Sequence, residues 1–207
     1  MRILAIDSAT EACSAALFAD GVLLAGNAET IGRGHAERLV PMIAEMPGRG
    51  RAERILVSLG PGSFTGVRIG LAAARALALA WNAEILGYPT LALLAAMARR
   101  EAGEERGVSV CMTGGHGEWF VQDFAPGGEA EGPLASLPPD RAAQALRHDL
   151  VCGNQAEALV AQRGSGRALP LLPDARYVPL LPKSVLTERL TPLYGRAPDA
   201  KLPGGGA

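Results

Sequence analysis

The strongest structural signals of the chain lie in Ile55-Leu-Val-Ser-Leu-Gly-Pro-Gly-Ser-Phe-Thr-Gly-Val-Arg-Ile-Gly-Leu-Ala-Ala-Ala-Arg-Ala-Leu-Ala-Leu-Ala-Trp81. An apolar run of strand length, Ile55 to Leu59, enters a loop that a Gly-Pro-Gly sequence bends sharply. Ser63 or Thr65 can then cap the long helix that follows. The sequence therefore predicts a strand, a tight turn and a helix in direct succession.

Small residues recur at four-residue spacing along the predicted helix, so they lie in one row. The row is formed by Gly66, Gly70, Ala74 and Ala78. A second helix can approach such a row closely. Arg68 and Arg75 share the only strongly charged side, and we expect a helix this apolar to be buried on more than one side, by its own domain or by a partner.

Upstream of this stretch, three short apolar runs before Ala28 are joined by polar turns and predict antiparallel strands. A helix is predicted from His35 because apolar residues follow at helical spacing, with a bend expected at Pro41. These apolar residues are Leu39, Met42, Ile43 and Met46. Downstream, a strand at Glu84 to Gly87 precedes a helix from Leu91 to Arg100, with Thr90 as its cap. The order βββαβαβα predicts a mixed sheet flanked by helices.

The charged, glycine-bearing segment Glu101 to Gly107 is the predicted boundary between two subdomains, residues 1–103 and 104–207. Signals in the second subdomain are weaker. A strand pair at Val108 to Met112 and Glu118 to Phe124 is expected, and the layout suggests a degraded copy of the first half. Prolines between Pro170 and Pro182 disfavour regular structure there, and the tail Gly204 to Ala207 is expected to be disordered.

Composition restricts the functional classes. The chain has 207 residues, 48% hydrophobic and 20% charged, and 20 basic against 21 acidic side chains leave a net charge of -1. Autonomous nucleic-acid binding usually requires a basic excess, so it is disfavoured. The three dispersed cysteines suggest neither a disulfide framework nor a zinc site. The first residues reach a charge too early for a signal peptide, and the long helix is short for a membrane span, so we expect a cytoplasmic protein without membrane contact.

Four segments carry a resemblance to a known family. They are Met1-Arg-Ile-Leu-Ala-Ile-Asp-Ser-Ala-Thr10, His35-Ala-Glu-Arg-Leu-Val-Pro-Met-Ile43, Gly60-Pro-Gly-Ser-Phe-Thr-Gly-Val-Arg-Ile-Gly-Leu71 and Pro192-Leu-Tyr-Gly-Arg-Ala-Pro-Asp-Ala-Lys201. Together they resemble the TsaB family, formerly YeaZ, the bacterial subunits required to make N6-threonylcarbamoyladenosine at position 37 of tRNA. The strong match covers about half of the chain, and residues 104–190 match loosely.

The resemblance implies an α/β chain with the actin-like ATPase fold, also called the Hsp70 and sugar-kinase or ribonuclease H-like fold, of two related subdomains with the second reduced. It also implies a non-catalytic subunit that docks on the paralogous transferase TsaD, with the ATPase TsaE joining the pair. A homodimer is expected when the chain is alone, and contact with tRNA is expected to be indirect. No cofactor is expected to bind tightly, and ATP or ADP with Mg²⁺ is expected only at the junction of the complex.

With the resemblance, the two helices are expected to pack against the equivalent pair on TsaD. The predicted interface residues are His35, Arg38, Leu39, Met42, Met46, Ser63, Phe64, Arg68, Gly70, Ala74 and Arg75. Each apolar position among them is also explained by ordinary core packing, because soluble domains bury apolar helices routinely.

Asp7, Ser8 and Thr10 stand where actin-like ATPases place a phosphate-binding hairpin, so they are candidate nucleotide ligands. Such hairpins usually carry glycine, which lets backbone N–H groups approach phosphate. The alternative is a polar strand end with Asp7 capping its own turn. The Gly60 to Gly66 loop invites a similar choice between anion binding and tight turn chemistry, and it lacks the phosphate-loop lysine.

Neither a metal site nor catalytic residues are predicted. In the transferase paralogue two histidines four residues apart bind a metal, and by the resemblance the matching positions here are Thr90 and Leu94. The histidines His35, His116 and His148 are scattered. The turn Thr113-Gly-Gly115 replaces the family's Asp-Ala-Arg-like motif, which puts any function of those polar side chains in doubt. The alternative function is a stand-alone enzyme of this fold, either an ATP-dependent kinase centred on Asp7 or a metallopeptidase-like hydrolase.

Overall fold

The computed structural model describes residues 1–103 and 106–195. Within these ranges the chain forms ten strands and five α-helices. Three sequence predictions fall wholly or partly elsewhere: the tail Gly204 to Ala207, residues 196–201 of the closing motif, and residues 104 and 105 at the subdomain boundary lie outside the described residues.

The first half confirms the predicted order βββαβαβα. Its elements are β1 Arg2–Asp7, β2 Ala12–Ala19, β3 Val22–Thr30, α1 His35–Ala44, β4 Arg54–Ser58, α2 Phe64–Trp81, β5 Glu84–Tyr88 and α3 Thr90–Ala102. Ser63 caps α2 as predicted, because its side chain accepts a hydrogen bond from the Gly66 N–H. The predicted cap of α3 was wrong: Pro89 occupies the cap position, and Thr90 is the first helical residue.

The second half has shorter elements. They are β6 Val108–Thr113, β7 Trp119–Phe124, β8 Ala135–Leu137, α4 Pro139–Ala145, β9 Leu150–Cys152, α5 Ala156–Arg163 and β10 Arg167–Leu169. Two three-residue strands, β8 and β10, were missed, because three residues are too few for an alternating pattern to emerge. In the proline-rich segment the chain forms short 3-10 helices at Ala175–Leu180 and Lys183–Val185.

The two halves have the same sheet topology. The first sheet has the order β3-β2-β1-β4-β5, and the second, read in the same direction, has the order β8-β7-β6-β9-β10. In each sheet three strands pair antiparallel as a meander and two further strands add in parallel. The second half is therefore a shortened structural copy of the first, as its predicted layout suggested.

Three apolar layers hold the sheets and helices together. One face of the first sheet packs under α1 and α2, and the outer face of the second sheet packs under α4 and α5. Between the sheets lies α3, whose Leu91, Leu93 and Leu94 are fully buried. Because this middle layer includes Tyr88 from the first sheet and Val110 from the second, the two halves share one core.

Helix α2 is apolar over its full length. Of the helices in the described ranges, it alone is long and apolar enough to pass a membrane-span test. A core helix of a soluble protein passes the same test, and α2 lays Val67, Leu71 and Ala74 on the core layer beneath it. The exposed side of this helix is the starting point for the candidate site.

Candidate docking face and cleft

Helices α1 and α2 lie side by side on the first sheet, and their inner sides are core. Six of the residues predicted to contact a partner are buried there, which corrects that prediction. They are His35, Leu39, Met42, Met46, Gly70 and Ala74, each no more than 6% exposed where a side chain is present. The predicted apolar stripe and small-residue row are therefore intramolecular contacts, and these side chains do not face a partner.

The small-residue row packs closely on the chain itself, and at Gly66 the contact is with backbone, so a glycine is required there. A Cβ at Gly66 would collide with the carbonyl oxygen of Ser8, and a Cβ at Gly70 would lie 2.5 Å from the Ser8 hydroxyl. That hydroxyl donates a 2.9 Å hydrogen bond to the Gly66 carbonyl. The approach that sequence reasoning assigned to a second helix is made instead by the turn between β1 and β2.

The outer sides of the same helices form an exposed apolar surface, which we call the α1/α2 face. It consists of Ala36, Val40, Pro41, Ala44, Phe64, Ala72, Ala76, Leu79 and Ala80, all exposed. Leu79 is 87% exposed, Phe64 55% and Val40 51%. Residues four apart on each helix line up, so Ala36, Val40 and Ala44 form a row on α1 and Ala72, Ala76 and Ala80 form a row on α2, which Arg68 separates from Phe64. Exposed patches of this kind mark interaction sites in soluble proteins.

Two of the arginines predicted to contact a partner, Arg38 and Arg75, lie at the border of this face. Arg38 donates to both carboxylate oxygens of Glu29 at 2.6 and 2.8 Å and to Glu45 at 2.9 Å. These contacts raise the pKa of Arg38 and tie α1 to β3. Arg75 donates to the Leu190 carbonyl at 2.9 Å. The basic side chains are thus held by the chain itself, next to an uncharged surface.

A cleft opens at the end of α2 where the two halves meet. It encloses about 770 Å³ and is lined by residues of both halves. At its mouth the Arg68 guanidinium lies 3.6 Å above the Phe64 ring centre and donates to the Tyr194 hydroxyl at 3.4 Å. The Phe64 and Tyr194 ring centres are 5.7 Å apart. Exposed aromatic rings with a stacked cation make this mouth a preformed contact surface.

A polar bridge joins the two halves along one wall of the cleft. The Asn154 amide donates to the Glu11 carboxylate at 2.8 Å, while its oxygen accepts from the Thr113 N–H at 2.8 Å. Thr113 begins the turn that departs from the family motif. That turn occupies the position in the second sheet that the Asp7 to Thr10 turn occupies in the first.

Of the three candidate nucleotide ligands, only Thr10 lines the cleft. Asp7 is 0% exposed and Ser8 2%, which corrects their assignment as accessible ligands. Asp7 accepts from the Ala9 N–H at 3.0 Å and from the Tyr88 hydroxyl at 3.4 Å. Burial raises the pKa of Asp7 to about 6, although these hydrogen bonds oppose the rise.

The hairpin does not fit the phosphates and magnesium ion that an ATPase fold implies. A Cβ at Gly62 would collide with the Ala9 carbonyl, so the loop before α2 already covers the turn. The Ser63 N–H donates to that same carbonyl at 2.6 Å. No buried side-chain polar atom among the described residues lacks a hydrogen-bond partner. The Asp7 and Ser8 side chains are therefore engaged within the protein, and of the three candidate ligands Thr10 alone reaches the cleft.

The second half contains a compact charged group that sequence reasoning missed. Ligand-type atoms of Asp123, Glu131 and His148 lie within 4.8 Å of one another. Arg147 contacts both carboxylates at 3.2 Å, and Ser109 donates to Asp123. Because the guanidinium pairs with both carboxylates, the arrangement is that of an ion-pair network. His148 was expected to be isolated, and only tertiary folding brings it to Glu131 at 2.9 Å.

The positions that match the paralogue's metal-binding histidines are buried, and so are the three cysteines. Thr90 and Leu94 are fully buried in α3, and the Thr90 hydroxyl lies 2.6 Å from that of Ser58. All three cysteines are buried and free. Burial raises the pKa of the Cys13 thiol to about 11 and that of Cys111 to about 12, so neither is a thiolate near neutral pH.

Two copies of one sheet, each contributing a turn to a shared cleft, define the class of protein: this is an actin-like ATPase fold with a reduced second half. The family model described as "TsaD: tRNA N6-adenosine threonylcarbamoyltransferase" matches residues 28–172. The chain belongs to the TsaD family and, within it, to the TsaB group, also called YeaZ.

Similar proteins from two bacteria support the assignment to this family. Escherichia coli TsaB, a tRNA threonylcarbamoyladenosine biosynthesis protein, is 43% identical over 111 residues, 51% of this chain and 48% of that protein. The structure of Pseudomonas aeruginosa YeaZ superposes with a TM-score of 0.78 at 30% identity, covering 93% of this chain and 99% of that one. A second Pseudomonas aeruginosa structure, described as similar to the peptidase YeaZ, has a TM-score of 0.80 at 32% identity over 94% and 99% of the two chains. The chain spans about half the length of the curated relatives it matches.

Several residues of the candidate site were not singled out from the sequence. On the α1/α2 face these are Val40 and Leu79, and in the cleft they are Glu11, Asn154 and Tyr194. Leu79 lies in the helix already analysed, but its spacing alone does not show which side faces outward. Asn154 and Tyr194 reach the cleft from more than a hundred residues away, a contact that no local pattern encodes.

Proposed function

We propose that this chain is a non-catalytic subunit required for N6-threonylcarbamoyladenosine formation at position 37 of tRNA. In this proposal it docks on a TsaD-type transferase and supports its activity together with a TsaE-type ATPase. The exposed apolar α1/α2 face is the observation that carries the docking role. The similarity to Escherichia coli TsaB, a tRNA threonylcarbamoyladenosine biosynthesis protein, supports the pathway.

The chemistry of the face fits a helical partner. Small exposed alanines at four-residue spacing, Ala72, Ala76 and Ala80, allow another helix to approach closely. Leu79 gains about 1.5–3 kcal/mol when fully covered, and Val40, which is only 51% exposed, gains about half of that. Because TsaD-type proteins belong to the same family, the partner is expected to present an equivalent helix pair. Of the predicted contact residues, Arg38, Ser63, Phe64, Arg68 and Arg75 remain in the proposed interface.

The proposal also covers the oligomeric state, nucleotide binding, tRNA contact and cellular location of the chain. The same face is expected to pair two copies of the chain when the transferase is missing, which gives a homodimer. Any ATP or ADP with Mg²⁺ is assigned to the subunit junction, since Asp7 is enclosed. Contact with tRNA is indirect, and the location is the cytoplasm, without membrane attachment. A kinase centred on Asp7 is not favoured, because its carboxylate is covered by Tyr88 and the turn itself.

The decisive experiment is reconstituted threonylcarbamoyladenosine formation on tRNA, detected by nucleoside mass spectrometry. The transferase, the ATPase, the threonylcarbamoyl donor and tRNA are held constant, and this chain is added or omitted. Modification should depend on the chain. Equal modification without it would contradict the proposed function.

A pair of valine substitutions tests the docking face within the same assay. Val40→Glu places a charge on the α1/α2 face, whereas Val22→Glu changes a valine on β3 that is 64% exposed, against 51% for Val40. We expect Val40→Glu to lose transferase binding and modification, because burying an unpaired carboxylate is costly. Val22→Glu should behave as the unaltered chain. Equal behaviour of the two variants would remove α1 from the interface.

A further inference from the structure

A smaller cavity lies apart from the cleft, where the last turn of α3 meets the segment that follows β10. It encloses about 440 Å³ and shares no lining residue with the cleft between the halves. Strands β2 and β3 form one wall, α3 forms another, and residues 171–177 form the third. A cavity of this volume is within the size range of small-molecule sites. The docking proposal gives it no task.

The floor of this cavity is apolar. Met97 is 7% exposed and belongs to the middle core layer, and the half-buried Leu171 and Leu172 pack against the same layer. Ala12, 4% exposed, closes the floor on the side of the first sheet. An apolar group seated there would leave water and cover this surface, which favours binding.

Two of the carboxylates that line the cavity are held by arginines of the chain itself. The oxygens of Glu29 accept from Arg38 at 2.6 and 2.8 Å. Those of Asp174 accept from Arg176 at 2.6 and 3.1 Å. A ligand cation would have to compete with a guanidinium at either carboxylate, so these two groups are not its partners.

Arg100 and Glu101 are the other charged residues of the lining, and both are exposed. Among the residues that the structure describes, neither side chain has an ion pair or a hydrogen bond. They do not pair with each other, since consecutive helical residues do not face each other. Arg100 is stabilised at the C-terminal end of α3, whereas the helix dipole disfavours a carboxylate such as Glu101 there. The chain thus leaves a cation and an anion unpaired above an apolar floor.

We propose that this cavity binds a free α-amino acid with an apolar side chain. The Arg100 guanidinium pairs with the carboxylate of the ligand, and the Glu101 carboxylate pairs with its ammonium group. The side chain of the ligand lies on Met97 and Leu172. An α-amino acid fits because it carries both charges on one carbon atom, so a single small ligand between the two side chains contacts both. This site is separate from the α1/α2 face and does not rest on the proposed function.

The test titrates the full chain with leucine, followed by calorimetry and saturation-transfer NMR. Leucine should bind saturably with a Kd on the order of 1 mM, as expected for so small a ligand on exposed charges. Three relatives each lack one feature: isocaproate has no ammonium group, isoamylamine has no carboxylate, and serine has no apolar side chain. Each should bind at least about threefold more weakly. Absence of saturable leucine binding, or equal binding of any of the three, would overturn the proposal.

Matched variants assign each charge of the ligand to its residue. Arg100→Gln should weaken leucine binding about three- to fivefold and leave isoamylamine binding unchanged, because that amine has no carboxylate. Glu101→Gln should weaken leucine binding by a similar factor and leave isocaproate binding unchanged. Glutamine forms helices about as well as either residue, so α3 stays intact.

Arg141→Gln and Glu157→Gln are the controls, since both residues are exposed on α4 and α5 and neither lines the cavity. They should bind leucine as the unaltered chain does. An equal loss in a control and in its matched variant would contradict the assignment.

The docking variant keeps the two proposals separable. Val40→Glu changes the α1/α2 face and does not line this cavity, so it should lose transferase binding and keep leucine binding. If leucine fails to bind while tRNA modification still depends on the chain, the amino-acid site alone is wrong.

Discussion

Gly66 shows how the first turn of α2 is fitted to the turn between β1 and β2. Its backbone lies against the Ser8 carbonyl, while its N–H is capped by Ser63 and its own carbonyl accepts from the Ser8 hydroxyl. To make room for a side chain at this position, either the Ser8 carbonyl or the Gly66 backbone would have to move, and each is held in place by a strand or a helix. The glycine is therefore required by close approach.

Gly66→Ala should destabilise the chain by about 2 kcal/mol. The added methyl group forces the helix off the turn, as overpacking does, and this outweighs the roughly 1 kcal/mol by which alanine favours a helix. The loss is measured as a shift of the urea unfolding midpoint, with the slope of the unfolding free energy against urea concentration unchanged. Gly132→Ala is the control: a Cβ there meets nothing within 4 Å, and a change below about 0.5 kcal/mol is expected. Equal urea midpoints for the two variants would show that the turn between β1 and β2 moves to accommodate the methyl group at little cost.

Asp7 is a second residue whose role depends on its surroundings. Burial raises its pKa from 3.8 to about 6, so the folded state favours the protonated carboxyl. The stability that this group contributes is fully present below pH 3.8 and is lost as the pH rises through about 6. The loss is on the order of 3 kcal/mol.

Asp7→Asn should remove that dependence, because an amide does not ionise. The difference in unfolding free energy between the two proteins, followed by urea titrations from pH 4 to pH 7, should shift in favour of the variant as the pH rises. Taking the difference cancels the other titrating groups. Parallel profiles would mean that Asp7 is ionised throughout this range and is more hydrated than its burial indicates.

At the scale of elements, α2 has two sides with opposite tasks. One side carries Gly66, Gly70 and Ala74 onto the core, and the other exposes Ala72, Ala76 and Leu79. Both sides consist mainly of small or apolar residues, so hydrophobicity does not distinguish them. The sequence predicted a helix buried on more than one side. The structure shows one side buried by the chain's own core, and the predicted partner contacts Gly70 and Ala74 lie on that side.

Leu79→Glu should convert the isolated chain from the expected dimer to a monomer. The side chain is 87% exposed, so the substitution leaves the folded chain intact while placing a charge in the contact. Sedimentation velocity over a range of protein concentrations reports the change. Leu23→Glu, at a leucine of β3 that is 45% exposed, should remain dimeric. A dimeric Leu79→Glu protein would place the contact elsewhere.

At the scale of the whole molecule, α3 lies in a core layer shared by the two halves, so we expect them to unfold as one cooperative unit. Leu91, Leu93 and Leu94 pack in a layer that includes residues of both sheets. The Glu11 to Asn154 hydrogen bond adds a second connection across the cleft. Removing either half would open this middle layer, although each half repeats the same topology and has a further apolar layer under its own helices.

Two tryptophans allow this cooperativity to be measured, since Trp81 ends α2 and Trp119 begins β7. In Trp119→Phe the remaining tryptophan reports the first half, and in Trp81→Phe it reports the second. Within each variant, the urea curve from tryptophan fluorescence should coincide with that from far-ultraviolet circular dichroism, the sign of two-state unfolding. A fluorescence transition of Trp119 at lower urea than the loss of helix signal would show independent subdomains.

The sequence alone was sufficient for the order of elements in the first half and narrowed the cap of α2 to Ser63 or Thr65, because turn residues, caps and periodic apolar positions act locally. Its motifs were sufficient for the family resemblance. Only the tertiary structure decided that Leu39 and Gly70 face the core while Leu79 faces outward. Periodicity shows which residues share a side of a helix, but which side is covered depends on contacts between distant segments. Asp7 illustrates the same limit, because its burial depends on Tyr88, 81 residues away along the chain.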